Sequence, residues 1–163
     1  LVPVFWMAGT HKLAGIEQTI EWFGNPDWGL GLPFPTLLAY LAAYTEVIGA
    51  LLLLLGLATR WITIPLIVTM LVAIFAVHWD NGWAAIADSS SQEIAVRLGA
   101  AKDLLREYGN YSWLTEKGSL VILNNGIEFG VTYLVMLVSL LFTGGGRYVS
   151  LDYYLSRLFP ARA

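Results

Sequence analysis

The sequence predicts an all-α integral membrane protein: a four-helix bundle with a truncated first helix, an amphipathic surface helix in the third connection and a short C-terminal interfacial helix. Three observations lead there. The apolar fraction is 57% and the mean hydropathy +0.64 over 163 residues, more than a soluble domain of that size can hide. Three long apolar runs each hold at most one charge. Seven Trp and eight Tyr are many for the length, and several fall at the ends of those runs, as amphipathic rings at a headgroup interface do.

The clearest span is 35–57, mostly apolar with Glu46 as its single charge. At 1.5 Å rise per residue it is long enough for a hydrocarbon core of roughly 30 Å. Only Ala58-Thr59-Arg60 separates it from a second span, 61–78, which has no Asp, Glu, Lys or Arg and whose Pro65 falls near the start, where a helix tolerates a missing N–H. A further span, 120–142, holds Glu128 and stops at Gly144-Gly145-Gly146. The first span, about 1–20, is apolar only over Leu1–Gly9, before His11-Lys12. It reads as the second half of a truncated helix that a longer native N-terminus completes, and its flanks do not suit a signal peptide. The whole, 1–163, is read as one domain.

Between the first two spans, Asn25-Pro26-Asp27-Trp28-Gly29-Leu30-Gly31-Leu32-Pro33 is dense in turn-formers and predicts an ordered loop with Trp28 at the interface. The connection 79–118 is polar. Within it Ile94, Leu98, Ala101, Leu105 and Tyr108 recur at helical spacing, with Ser90 and Glu93 as a capping box and Gly109 as a stop. Beyond the triple glycine, Leu151, Tyr154, Leu155 and Leu158 predict the C-terminal interfacial helix.

Composition excludes several functions. With no cysteine the chain supports neither dithiol exchange nor a thiolate metal cage, so redox chemistry needs a bound cofactor. Nine basic against twelve acidic residues, with no basic stripe, argue against nucleic acid. Arg60, Arg147, Arg157 and Arg162 put the hairpin turn and the tail on the cytoplasmic side.

That topology collects His11, Lys12, His78, Asp80, Asn124, Asn125 and Glu128 in the outer half of the bundle, with Glu46 nearer its middle. A charge inside a bilayer is costly, so Glu46 and Glu128 are expected to face inward, and Lys12 is the natural partner of Glu46. Glu46, Gly49, Leu53 and Gly56 share one helical stripe; Asn124, Glu128, Thr132, Val135 and Ser139 share another, beside a GxxxG spacing at Gly126 and Gly130. The competing reading makes Lys12, Glu46 and Glu128 structural glue. His78-Trp79-Asp80 suits a metal or proton-transfer element in which Asp80 orients the imidazole. His11 and His78 together suit a bis-imidazole metal or haem site, ranked below a quinone, for which Trp6, Trp79, Trp83 and Phe129 offer a flat aromatic cleft.

The chain also resembles the DoxX-type small membrane proteins. Gly9-Thr10-His11-Lys12-Leu13, Gly31-Leu32-Pro33-Phe34-Pro35 and Glu46-Val47-Ile48-Gly49 leading to Leu54-Leu55-Gly56-Leu57-Ala58-Thr59-Arg60 carry the likeness. Val77-His78-Trp79-Asp80-Asn81-Gly82-Trp83 and Asn124-Asn125-Gly126-Ile127-Glu128-Phe129 look more narrowly like the HvfX branch, similar to proteins encoded beside copper-binding modified peptides. The resemblance implies a multi-pass protein of a bacterial inner membrane, with Lys12, Glu46 and Arg60 as matching polar positions. Relatives of the family include a subunit of thiosulfate:quinone oxidoreductase.

The expectation is therefore an accessory membrane subunit of a redox or copper-handling system, working with lipid and a partner membrane subunit. Its quinone-like cofactor would sit among Lys12, Glu46, His78, Asn125 and Glu128, with His11, His78 and Asp80 as candidate metal ligands. The alternative is a non-catalytic structural subunit or assembly factor.

Overall fold

A computed structural model describes residues 1–158; Arg162 lies outside them. Among the described residues the regular structure is helical, with one isolated bridge between Ile86 and Leu123. In chain order the helices are α1 (Val2–Ala14), α2 (Ile16–Gly24), α3 (Pro35–Leu55), α4 (Thr59–Val72), α5 (Gln92–Tyr108), α6 (Tyr111–Leu114), α7 (Glu128–Thr143) and α8 (Leu151–Leu158). The chain divides into two compact units, 1–77 with the segment from 130 onward, and 78–129.

In the first unit α1 breaks at Gly15 rather than running smoothly to about residue 20, and α2 carries the chain on to Gly24. The loop that follows is ordered by Asn25, whose Oδ1 accepts the N–H groups of Asp27 and Trp28 at 2.8 and 3.2 Å. This is the turn that an Asn side chain builds by imitating backbone. Pro35 opens α3, where its missing N–H costs nothing, and Gly56 closes it at φ 60°. Ala58, also left-handed at φ 50°, leads into α4. This helix continues through a π-helical stretch, Ala73–His78, and a 3-10 turn, Trp79–Asn81, as one apolar element of 23 residues. Because it starts at Thr59, Pro65 lies past the first turn and removes a hydrogen bond from the helix interior.

The core of this unit is one cluster to which α1, α3, α4 and α7 contribute Phe5, Ala50, Leu66, Met70 and Leu137. Small residues let α1 and α3 approach closely: a Cβ on Gly9 would lie 2.9 Å from the Ala43 carbonyl oxygen. Two helices are long and apolar enough to cross a membrane, Pro35–Leu55 and Thr59–Asn81, and α7 is a shorter apolar helix. Only 28% and 17% of the apolar windows of those two are buried. The core helix of a soluble protein would be mostly covered, so this outward apolar surface fits lipid as its solvent.

The second unit departs most from expectation. Residues 120–127 are not helical, so Asn124 does not share a helical stripe with Glu128, and Gly126 with Gly130 forms no GxxxG face. They run instead beside 82–87, with Ala87 N–H donating to Ile122 O and Asn124 and Asn125 N–H both to Ala85 O. A short apolar run reads equally as helix or extended chain by periodicity. The turn-formers Asn124-Asn125-Gly126 decide it: Asn125 is left-handed at φ 58°, and a Cβ on Gly126 would strike the carbonyl oxygens of Ala84, Gly82 and Trp83. The connecting helix α5 ends at Gly109 as expected, but its N-cap is Ser91, with no side-chain cap bond. Ser90 turns back to Asp88, donating from both N–H and Oγ.

Candidate functional site

Lys12 lies in the last turn of α1, where the helix dipole favours a cation, and the break at Gly15 makes that end local to it. Glu46 lies on the buried stripe of α3 that includes Ala39, Ala43, Gly49 and Ala50. Antiparallel approach of the two helices across Gly9 brings the side chains together: Lys12 Nζ donates to Glu46 Oε1 at 2.9 Å and Oε2 at 2.7 Å. The Glu46 carboxylate is 3% exposed and the Lys12 side chain 26% exposed. A carboxylate this buried is tolerated only because the ammonium answers both oxygens; without it the group would be an uncompensated charge. An ammonium has three donors, so the half-buried Lys12 retains capacity toward a further acceptor.

His78, Asn125 and Glu128 belong to the second unit. His78 Nδ1 meets Asn125 O at 2.8 Å, and Asn81 Nδ2 donates to the same carbonyl at 3.2 Å. A carbonyl only accepts, so Nδ1 carries the proton and a neutral ring keeps its Nε2 lone pair. The imidazole is thus oriented by the Asn125 backbone rather than by Asp80, whose side chain makes no hydrogen bond among the described residues. The part played by Asn125 is conformational: its left-handed backbone aims that carbonyl. Glu128 Oε2 accepts the Ala85 N–H at 3.0 Å, and its own N–H donates to Trp83 O at 2.9 Å. The carboxylate therefore secures the 82–87 segment to the start of α7.

The His11 side chain is exposed and makes no hydrogen bond among the described residues; only its backbone carbonyl is engaged, accepting the Gly15 N–H at 3.0 Å. Among the described residues no group of three or more His, Cys, Asp or Glu side chains gathers. Sequence reasoning passed over Asp152, whose Oδ1 and Oδ2 accept the Ala58 and Thr59 N–H groups at 2.7 and 2.9 Å and so cap α4 from 94 and 93 residues away. Nothing local to either segment signals that pairing.

Comparison with known proteins bears on the first of these groups. Residues 1–79 match the DoxX family model. The DoxX segment contains Lys12, Glu46, Arg60 and His78, and leaves out Asn125 and Glu128. Over 74 residues the chain is 38% identical to CatD of Bacillus subtilis (strain 168), provisionally named an oxidoreductase. That match covers 45% of this chain and 51% of CatD, so the chain spans about half the length of this curated relative. No solved structure matches. DoxX proteins are membrane-associated, in agreement with the two long apolar helices and their uncovered faces.

Proposed function

We propose that this chain is an accessory subunit of a bacterial inner-membrane redox system. In this reading α1–α2, α3, α4 and α7 form a four-helix membrane bundle, with the Arg60 end in the cytoplasm and an electron carrier of the quinone class bound at Lys12. The observation that carries it is the Lys12–Glu46 pair inside the DoxX segment, an ionic group that apolar helices keep at considerable cost. The oxidoreductase name of CatD supports the redox part. A quinone supplies two-electron, two-proton exchange with a partner. The residues fit one: Lys12 holds a donor toward a carbonyl oxygen, Glu46 aims that ammonium through both its oxygens, and the apolar faces of α3 and α4 exclude water. The likeness to the HvfX branch extends the proposal to copper-handling systems. Copper itself would then be held with a partner membrane subunit.

A second reading, a purely structural subunit or assembly factor, is favoured by one observation: Lys12 engages both oxygens of Glu46, as a pair that fixes helix register would. Purification in mild detergent followed by mass spectrometry of the extracted lipids tests the choice. Quinone at near-stoichiometric amount, lost in Lys12→Met, is the expected result. Quinone no more abundant than in the bulk membrane, in wild type and variant alike, supports the structural reading.

A further inference from the structure

We propose that the cleft beside the Gly144-Gly145-Gly146 turn binds a phosphate ester, the headgroup phosphate of an anionic phospholipid. The inference rests on the membrane reading of the chain and not on its redox role. The cleft encloses about 370 Å³, within the size range of small-ligand sites, and its walls include Arg60, Trp61, Arg147, Asp152 and Tyr153. Arg60 is held by donation from Nη2 to the Phe142 carbonyl at 3.0 Å, at the C-terminal end of α7, where a cation is favoured. Neither Arg60 nor Arg147 has a carboxylate within salt-bridge distance among the described residues. The cleft's carboxylate, Asp152, is committed through both oxygens to the backbone at the start of α4. Two guanidinium groups therefore face a cleft whose anion is already engaged, and the planar fork of guanidinium suits phosphate oxygens.

Thr59 supplies an independent observation. It is 2% exposed, and its Oγ1 is buried with no hydrogen-bond partner among the described residues. It borders a mostly apolar surface that includes Leu53, Met136 and Leu140, with the same triple-glycine turn as the partition. A spare donor at such a depth calls for an acceptor. The partition is thin because it has no side chains: a Cβ on Gly145 would meet Ser150 Oγ at 2.6 Å and Thr59 Oγ1 at 2.8 Å. A cationic cleft on one side of this turn and an apolar surface with an unused hydroxyl on the other match an amphiphile with a phosphate headgroup. Trp61 and Tyr148, 78% and 88% exposed, suit the headgroup depth of a bilayer and favour a lipid source over a soluble phosphate ester.

Native mass spectrometry of the full chain, released from nanodiscs of equimolar phosphatidylglycerol and phosphatidylcholine, tests this. Retention of phosphatidylglycerol over phosphatidylcholine is expected, with the preference falling about fivefold in each of Arg60→Gln and Arg147→Gln. Arg60 also ties down the end of α7, so the exposed Arg147 is the deciding position. Equal retention of the two lipids, or a preference unchanged in Arg147→Gln, overturns the proposal. Glycerol 3-phosphate at millimolar concentration should leave the lipid in place; if it displaces all of it, the lipid source is refuted. A failed quinone measurement leaves this result untouched.

Discussion

Lys12→Met isolates the Lys12–Glu46 pair. It keeps the length of the side chain and removes the ammonium, so both oxygens of Glu46, in a carboxylate 3% exposed, lose their donor together. Breaking a buried pair from one side costs about 3–5 kcal/mol, chiefly because the remaining charge has no partner. At roughly 2–4 °C per kcal/mol for a chain of this size, the melting temperature in detergent falls by about 6–20 °C. Removing both charges, as in Lys12→Met with Glu46→Leu, abolishes the stranded charge and brings stability back to within about 1 kcal/mol of wild type. The expected coupling energy is therefore about 2 kcal/mol or more, near the upper part of the range for contacting residues. Thermal unfolding of the four chains of this double-mutant cycle is the assay. Single effects that simply add would refute the reasoning, because they would mean that Glu46 finds compensation elsewhere. The double variant also separates structure from function: with stability restored, the loss of bound quinone reports only the chemistry of the pair.

Four other substitutions test the fold locally. Ala58 sits at φ 50°, a conformation costing an L-residue roughly 1–2 kcal/mol, so Ala58→Gly is expected to stabilise by about 1 kcal/mol, read as a rise in melting temperature. Gly9→Ala should destabilise by about 1–3 kcal/mol, since its Cβ meets Val47 Cγ2 at 2.7 Å and backbone at 2.9 Å. Gly99→Ala, with nothing within 4 Å, should instead stabilise α5 by about 1 kcal/mol; an equal response at the two positions, measured by circular dichroism, would contradict the close approach of α1 and α3. Donation by the Ser90 hydroxyl, then by its N–H, holds the Asp88 carboxyl below the usual carboxylate range. A depressed carboxyl stabilises the turn above its unfolded value, and that contribution is lost as pH falls through the folded one. Ser90→Ala should therefore shift the Asp88 titration upward by carboxyl-carbon NMR.

Much of this protein is written locally. The α3 and α4 spans follow from apolar length, and their ends from Gly56 and from the turn at Leu57-Ala58, because a helix terminates where backbone geometry changes within a few residues. The partner of Glu46 was also legible, since a single buried acid needs a base and Lys12 is the cation flanking the first apolar run. The run 120–127 was not, because Leu120-Val121-Ile122-Leu123 has no period that separates helix from extended chain. What turned it was pairing with 82–87, nearly forty residues earlier, a backbone match that leaves no mark on side-chain pattern.

Sequence alone therefore determined the solvent class, the two long spans and the inventory of ionisable groups, which depend on composition and near-neighbour spacing. Tertiary structure decided how those groups are used. The Asn125 carbonyl rather than Asp80 orients His78; Asp152 caps α4 across 94 residues of chain; and Arg60 and Arg147 line one cleft with Asp152, yet neither forms an ion pair among the described residues. Hydrogen bonds form between groups that folding brings within about 3 Å, and a separation in sequence carries no information about that distance until the helices have packed.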